Sequence, residues 1–359
     1  MKTILYIGKY NGIIGGIERY MQKSAELLRH NDFTVHYLHT ETGGNDPEKF
    51  AAAFDSIGKF SPEHNLLSAA DMVIIHNIIP PELLKNLPEK RTFFFAHDHN
   101  IYCQRHHYYF PVGRINCHRK RTPFLCQLCS LGRNEAPPLK EYRKYPAIVL
   151  SDFMGENLRK NGFERVEKLP AFIRTEEKEH KFMPDGVLRI LFLGQLIRGK
   201  GADLMLKSLE QLTEPYECTI AGDGKDRTML EERVRNSRLN VKFTGFVSEP
   251  ETLWDNCDIL FFPSRWQEPF GLVGLEAMAH GIPVIAFDVG GVREWLSQLE
   301  NGILVPEKAD VTAAGILGGL TQNRNALEAM GKRGLQLAEE KFSEETFMKK
   351  FNELYEGIS

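Results

Sequence analysis

The amino-acid sequence predicts an α/β protein made of two Rossmann-like lobes that face each other across a cleft. Three observations carry this expectation. Short apolar strand candidates alternate with helical patterns from one end of the chain to the other, which marks parallel α/β units rather than separate all-α and all-β parts. At 359 residues the chain is long for one core and suits two domains of about 100–200 residues each. Between the halves, Thr175–Gly186 combines the charged run Glu176-Glu177-Lys178-Glu179-His180-Lys181 with the structure-breaking Met183-Pro184-Asp185-Gly186. The lobes are accordingly placed at residues 1–175 and 176–342, with a closing segment at 343–359.

The elements follow in order. Strands of the first lobe are expected at Thr3–Ile7, Thr34–His36, Met72–His76, Thr92–His97 and Ala147–Leu150. A helix from Gly16 to Arg29 offers Ile17, Tyr20, Met21, Ala25, Leu27 and Leu28 for a buried face. The second lobe has strand candidates at Arg189–Leu193, Glu217–Ala221, Asn240–Phe243, Ile259–Phe262, Pro283–Ala286 and Gly302–Val305, with helices between them. A last helix is expected over Ser343–Glu356. Ligands of open α/β sheets bind beyond the carboxyl ends of the strands, so the cleft is where a site is sought.

Composition narrows the class. A hydrophobic share of 42% against 26% charged residues excludes an intrinsically disordered chain. No run approaches the roughly 18 apolar residues of a transmembrane helix. The opening Met1–Gly8 has too short an apolar core for a secretory leader and reads as a strand, so a cytoplasmic location is expected. The net charge of −3 is unevenly spread: residues 101–145 hold nine Lys or Arg against Glu135 and Glu141, a local +7 that leaves −10 elsewhere. Such a stretch suits the inner face of an anionic membrane or a lipid-phosphate acceptor, and equally a solvated loop.

The most informative stretch runs from Glu268-Pro269-Phe270-Gly271-Leu272 through Glu276 to Gly281-Ile282-Pro283. One carboxylate stands just ahead of a helix start and a second about two turns on. The amides around Phe270, Gly271 and Leu272 have no earlier helical carbonyl to bond. A helix start carries roughly half a positive charge, so it seats phosphate. Gly281 then stops the helix and a buried strand follows. A phosphate seat with two carboxylates within about 10 Å, at roughly 1.5 Å of rise per residue, suits a sugar nucleotide.

This E-x7-E pattern, within EPFGLVGLEAMAHGIPVIA, resembles the donor-site motif of retaining glycosyltransferases of family 4, and the resemblance spans almost the whole chain. It implies the GT-B fold, with the last helix crossing back to the first lobe. It also implies that Glu268 touches hydroxyls of the transferred sugar and that Glu276 holds the ribose. Lys200, in Gly194-Gln195-Leu196-Ile197-Arg198-Gly199-Lys200-Gly201, would neutralise the donor pyrophosphate. The family usually has Arg after the first glycine; here Gln195 stands there and Arg198 is the substitute. The turn Gly222-Asp223-Gly224 would wall the nucleotide pocket, and the backbone of Phe246 and Val247 would meet the base. In the first lobe, the glycine loop ending at Gly16 would line the cleft near the phosphate, and His97 would contact the sugar from the acceptor side. His76 is a weaker candidate.

Competing motifs fail on single residues. Gly194–Gly201 nearly matches a nucleoside-triphosphate P-loop, but Gly201 sits where the magnesium-binding hydroxyl belongs. Gly222-Asp223-Gly224 opens a G-x-G-x-x-G, but Arg227 replaces its third glycine, which argues against nicotinamide binding. No D-x-D occurs, so no catalytic metal is expected to bridge a diphosphate. Cys103, Cys117, Cys126 and Cys129 form C-x13-C-x8-C-x2-C in the basic insertion, which reads either as a structural zinc site or as free thiols.

The expectation from the sequence is therefore a metal-independent retaining enzyme that moves a hexose-type sugar from a UDP-sugar or GDP-sugar to a saccharide or lipid-linked hydroxyl acceptor. The resemblance places it in bacterial polysaccharide or glycolipid assembly. Rival readings are a sugar-nucleotide epimerase or phosphorylase of the same fold. A further rival is a nucleic-acid binder that stacks bases on Tyr102, Tyr108, Tyr109 and Phe110 of the basic insertion. No nucleic acid is expected, since that insertion leaves the motifs of the second lobe unexplained.

Overall fold

The structure is a computed structural model that describes residues 2–110, 115–131, 137–175, 180–183, 185–247, 251–307 and 309–358. The chain divides into two compact units, Met1–Pro170 together with Glu344–Ser359, and Ala171–Ser343. The division falls ahead of Thr175–Gly186, of which residues 176–179 and 184 lie outside the described residues.

In the first unit, β1 (Lys2–Gly8), β2 (Phe33–His39), β3 (Ser56–Lys59), β4 (Met72–Ile75) and β5 (Thr92–Phe95) precede an insertion. The insertion holds a short antiparallel pair, β6 (Tyr109–Phe110) and β7 (Ile115–Asn116), and the helix Pro123–Ser130. β8 (Ala147–Val149) and β9 (Val166–Lys168) complete the sheet, whose order is β3-β2-β1-β4-β5-β8-β9 with parallel pairing throughout. β1 lies in the middle, in register from Lys2↔Phe33 to Gly8↔His39 on one side and from Ile4↔Met72 on the other. Its Ile4, Leu5 and Ile7, like Val73 and Ile75 of β4, are buried because helices cover both faces of a parallel sheet.

The helix Gly16–His30 buries Tyr20, Met21, Ala25, Leu27 and Leu28 as the periodicity predicts, while Ile17 stays partly exposed. Glu18 is buried as well, because its carboxylate accepts the Gly15 amide at 3.0 Å and caps the helix start. Two edge strands, β3 and β9, were not expected. Ser-Ile-Gly-Lys and Val-Glu-Lys each carry a single apolar residue, too little for a pattern. β4 and β5 stop at Ile75 and Phe95, earlier than predicted, so His76 and His97 sit just beyond the strand ends. The helix Glu344–Glu356 belongs to this unit: Phe351 and Tyr355 meet the ring of Phe33 edge-on at 5.5 and 5.4 Å.

The second unit contains β10 (Leu188–Leu193), β11 (Tyr216–Ala221), β12 (Val241–Gly245), β13 (Ile259–Phe262), β14 (Val284–Phe287) and β15 (Gly302–Val305). They form one parallel sheet of order β12-β11-β10-β13-β14-β15. Here the expected strands differ from those observed by two residues or fewer, because each apolar run is bounded by glycine, proline or charge. Ile173 N donates to Phe342 O at 2.9 Å, tying the start of the unit to its end. Among the described residues, no helix is long and apolar enough to cross a membrane.

Candidate functional site

The strand order of the second sheet reverses between β10 and β13, and such a switch point opens a crevice at the carboxyl ends of the strands. The loops leaving these two strands meet there. Lys200 ends a 3-10 turn, Arg198–Lys200, after β10; Glu268 follows β13 and precedes the helix Leu272–Ala279. Lys200 Nζ lies 2.8 Å from Glu268 Oε1 and 3.1 Å from Oε2, and Ser264 Oγ donates to Oε1 at 2.5 Å. Glu268 is buried and Lys200 partly exposed, so the pair has one open side.

Arg265, which sequence reasoning missed, binds the two loops together. Its guanidinium holds Asp203 bidentately at 2.5 and 2.7 Å, and Nη1 also donates to Arg198 O at 2.7 Å. Its backbone amide donates to Gly199 O at 2.8 Å. A bidentate guanidinium–carboxylate pair fixes orientation as well as distance. Nothing in its local sequence marks Arg265, because Asp203 lies 62 positions away.

Two close approaches fix the loop backbones. A Cβ on Gly199 would fall 1.7 Å from the Trp266 ring, so the β10 loop lies flat on that indole. Gly290, after β14, has φ +59°, and a Cβ there would sit 2.2 Å from Glu268 O. Its neighbour Gly291 donates its amide to that same carbonyl at 2.7 Å, and Gly290 N donates to Gln267 Oε1 at 2.8 Å. The Gly-Gly doublet after a strand was the available signal for this clamp.

The other predicted residues of this unit take distinct places. Gly271 (φ +93°) precedes the first helical residue, Leu272, so the helix begins where expected. The side chain and carbonyl of Phe270 serve packing. Its side chain is buried against Phe342 at 5.9 Å, and its carbonyl accepts Trp295 Nε1 at 2.7 Å. Glu276 lies one turn into the helix and is partly exposed. The Arg198 side chain is exposed, and its carbonyl accepts from Arg265 Nη1. Gly222 N donates to Gly245 O at 2.7 Å, joining the ends of β11 and β12. Beyond β12, Phe246 is 59% exposed and Val247 partly buried. Arg227, in the place of a third glycine, pairs with Asp223 and Glu231.

In the first unit the order reverses between β1 and β4, and Lys9 N donates to Asn77 Oδ1 at 3.0 Å across that switch point. A Cβ added at Gly15 or Gly16 would meet nothing within 4 Å, so the surrounding protein leaves space beside this loop. Beyond β5, His97 Nε2 lies 2.9 Å from His76 Nδ1, and its ring stacks on Phe95 at 4.2 Å. One nitrogen of this pair must donate and the other accept, so the two rings cannot both be imidazolium. Burial holds His97 down to about 3 and His76 well below its ordinary value, the latter also through the neighbouring imidazole. Asp98, also missed, is raised to about 6 by burial despite accepting from Asn100 N and Nδ2.

The four cysteines read as either a structural zinc site or free thiols all lie among the described residues. Among the described residues, no group of three or more His, Cys, Asp or Glu side chains is placed to hold a metal ion, and the four cysteines form no disulfide. Cys103 and Cys117 are drawn into packing against the core of the first unit, which pushes both thiols up. Cys126 and Cys129 lie on the inner side of the helix Pro123–Ser130.

Comparison with known proteins finds glycosyltransferases. Residues 173–336 match the family model of glycosyl transferases group 1. A stretch of 134 residues is 37% identical to the uncharacterized glycosyltransferase MJ1607 of Methanocaldococcus jannaschii, covering 35% of this chain and 34% of that protein. Another of 189 residues is 26% identical to the capsular polysaccharide biosynthesis glycosyltransferase CapM of Staphylococcus aureus, covering 51% and 49%. The chain thus spans about a third to a half of these two relatives. The crystal structure of Anabaena HepE in complex with UDP superposes with a TM-score of 0.75 at 17% identity, covering 99% of this chain and 100% of that one. The fold is the α/β GT-B type.

Proposed function

We propose that this chain, which carries the glycosyl transferases group 1 region over residues 173–336, transfers a hexose-type sugar from a nucleoside diphosphate to a hydroxyl acceptor with retention. The observation that carries the reading is the Lys200–Glu268 pair, at a sheet switch point and beside a helix start. In this reading the Lys200 ammonium and the amides at Gly271 and Leu272 stabilise the diphosphate as negative charge builds on it. Glu268 accepts hydroxyls of the sugar, Glu276 accepts those of the ribose, and His97 offers a neutral imidazole to the sugar from the acceptor side. The bond between the anomeric carbon and the diphosphate oxygen breaks, the acceptor oxygen bonds the same face, and its proton passes to the departing diphosphate.

Several finer points belong to the same proposal. Gly222, Phe246 and Val247 border the nucleotide, Gly16 and Arg198 lie near the phosphates, and no catalytic metal takes part. The donor is a UDP-sugar or GDP-sugar. The acceptor is a saccharide or lipid-linked hydroxyl of bacterial polysaccharide or glycolipid assembly, used on the cytoplasmic side of the membrane. HepE was solved with UDP and CapM is named for capsule synthesis, which supports these choices for this chain. A thermal-shift panel of UDP-, GDP- and ADP-sugars, followed by transfer assays with the sugar that stabilises most, tests the reading. Stabilisation by none of them would refute it, and donor turnover without transfer would favour an epimerase or phosphorylase.

A further inference from the structure

We propose that the helix Pro123–Ser130 and the cations preceding it form a docking surface for an anionic lipid bilayer. Five of the eleven large hydrophobic side chains left exposed among the described residues fall between positions 115 and 131, so they form a cluster rather than a scatter. They are Ile115 at 53%, Phe124 at 78%, Leu125 at 43%, Leu128 at 63% and Leu131 at 60% exposure. Phe124 and Leu128, four positions apart in the helix, share a face, and Leu131 caps its end. The opposite face carries Cys126, Cys129 and the buried Ser130, and it is the side turned to the protein. The apolar face is therefore outward by construction.

The element is also held firmly. Gln104 Nε2 donates to Gln127 Oε1 at 2.9 Å, and Arg105 Nε donates to Cys129 O at 2.5 Å. Tyr108 Oη donates to Arg119 O at 2.6 Å, and Arg121 N to Asn161 Oδ1 at 2.9 Å. Between these anchors His118, Arg119 and Lys120 are exposed immediately before the apolar face. An exposed apolar helix face bordered by cations is the composition of an interfacial element, apolar groups entering the acyl boundary while cations meet the headgroups. Charge selects the occupant. Residues 101–145 carry +7 against −10 in the rest of the chain, so an anionic surface attracts this part of the molecule in preference to the remainder. Each cation near an anionic leaflet strengthens binding about fivefold.

This inference deepens the acceptor side of the proposed function, and its test does not use activity. Full-length protein is sedimented with vesicles of phosphatidylcholine alone or with about one-third phosphatidylglycerol, at about 0.1 M and 0.5 M salt. Binding is expected to the anionic vesicles at low salt only. The double substitution Phe124→Ser, Leu128→Ser is expected to weaken it at least tenfold, and Arg119→Ser, Lys120→Ser by a similar factor. The thermal midpoint should stay unchanged, since all four side chains are exposed. Equal partition into neutral and anionic vesicles, or wild-type binding by the Phe124/Leu128 variant, would overturn the proposal. So would a concentration-dependent dimer that this variant abolishes, because a second copy would then occupy the face. Donor-sugar thermal shifts, read on the same samples, report separately on the proposed function.

Discussion

Lys200 and Glu268 neutralise each other, so under the proposed function a diphosphate at this loop competes with a carboxylate for one ammonium. Glu268→Gln removes the competitor. It is expected to bind nucleoside diphosphate at least as tightly as wild type in calorimetry while transfer collapses; clearly weaker binding would take Lys200 out of diphosphate contact. Lys200→Ala is expected to lower kcat/KM by about 100-fold or more, the scale of one lost charge-stabilising donor, measured by radiolabelled transfer.

The paired histidines give a pH prediction with a definite sign. Folded His97 and His76 stay neutral where the unfolded chain takes up protons near 6.5, so their contribution is complete above that pH and is lost as pH falls. Asp98 acts oppositely. Folded, it keeps its proton to about pH 6, whereas the unfolded chain releases it near 3.8, so its penalty grows between those values. Two imidazoles outweigh one carboxyl, and stability should fall from pH 6.5 toward 4.5. His76→Phe should reduce that slope by roughly 1.4 kcal/mol per pH unit, the effect of one proton, in urea unfolding series. An unchanged slope would mean that His76 is protonated in the folded protein.

At the level of elements, the site is held where the β10 loop and the first turn of the helix Ala202–Leu209 meet the β13 loop. Arg265 and Asp203 clamp them, and Gly199 lets the β10 loop lie on Trp266. Gly199→Ala therefore drives a methyl into the indole and should cost about 1–3 kcal/mol, as overpacking does. It should also lower activity by displacing Lys200. Trp266→Ala opens space for that methyl, so the double variant should recover part of the lost thermal midpoint. Strictly additive losses would show that the loop does not rest on the indole.

On the scale of the whole molecule, the last thirteen helical residues return to the first unit and cover Phe33 with Phe351 and Tyr355. Phe351→Ala should cost about 3–5 kcal/mol, the usual loss for a buried phenyl ring, and should lower the unfolding transition of that unit in calorimetry. The second unit should melt unchanged if the helix serves the first alone.

Local order decided what the sequence could tell. The strand pattern, the helix start at Leu272 and the carboxylate pair Glu268 and Glu276 each depend on residues within about ten positions, where periodicity and glycine placement act directly. β3, β9 and the helix Pro123–Ser130 were not legible, because their conformation is imposed by neighbours and not by their own composition. Arg265 on Asp203, Gly290 against Glu268 and His76 against His97 join residues 62, 22 and 21 positions apart. Only the packed fold brings those groups together, since a contact between distant segments has no local signature.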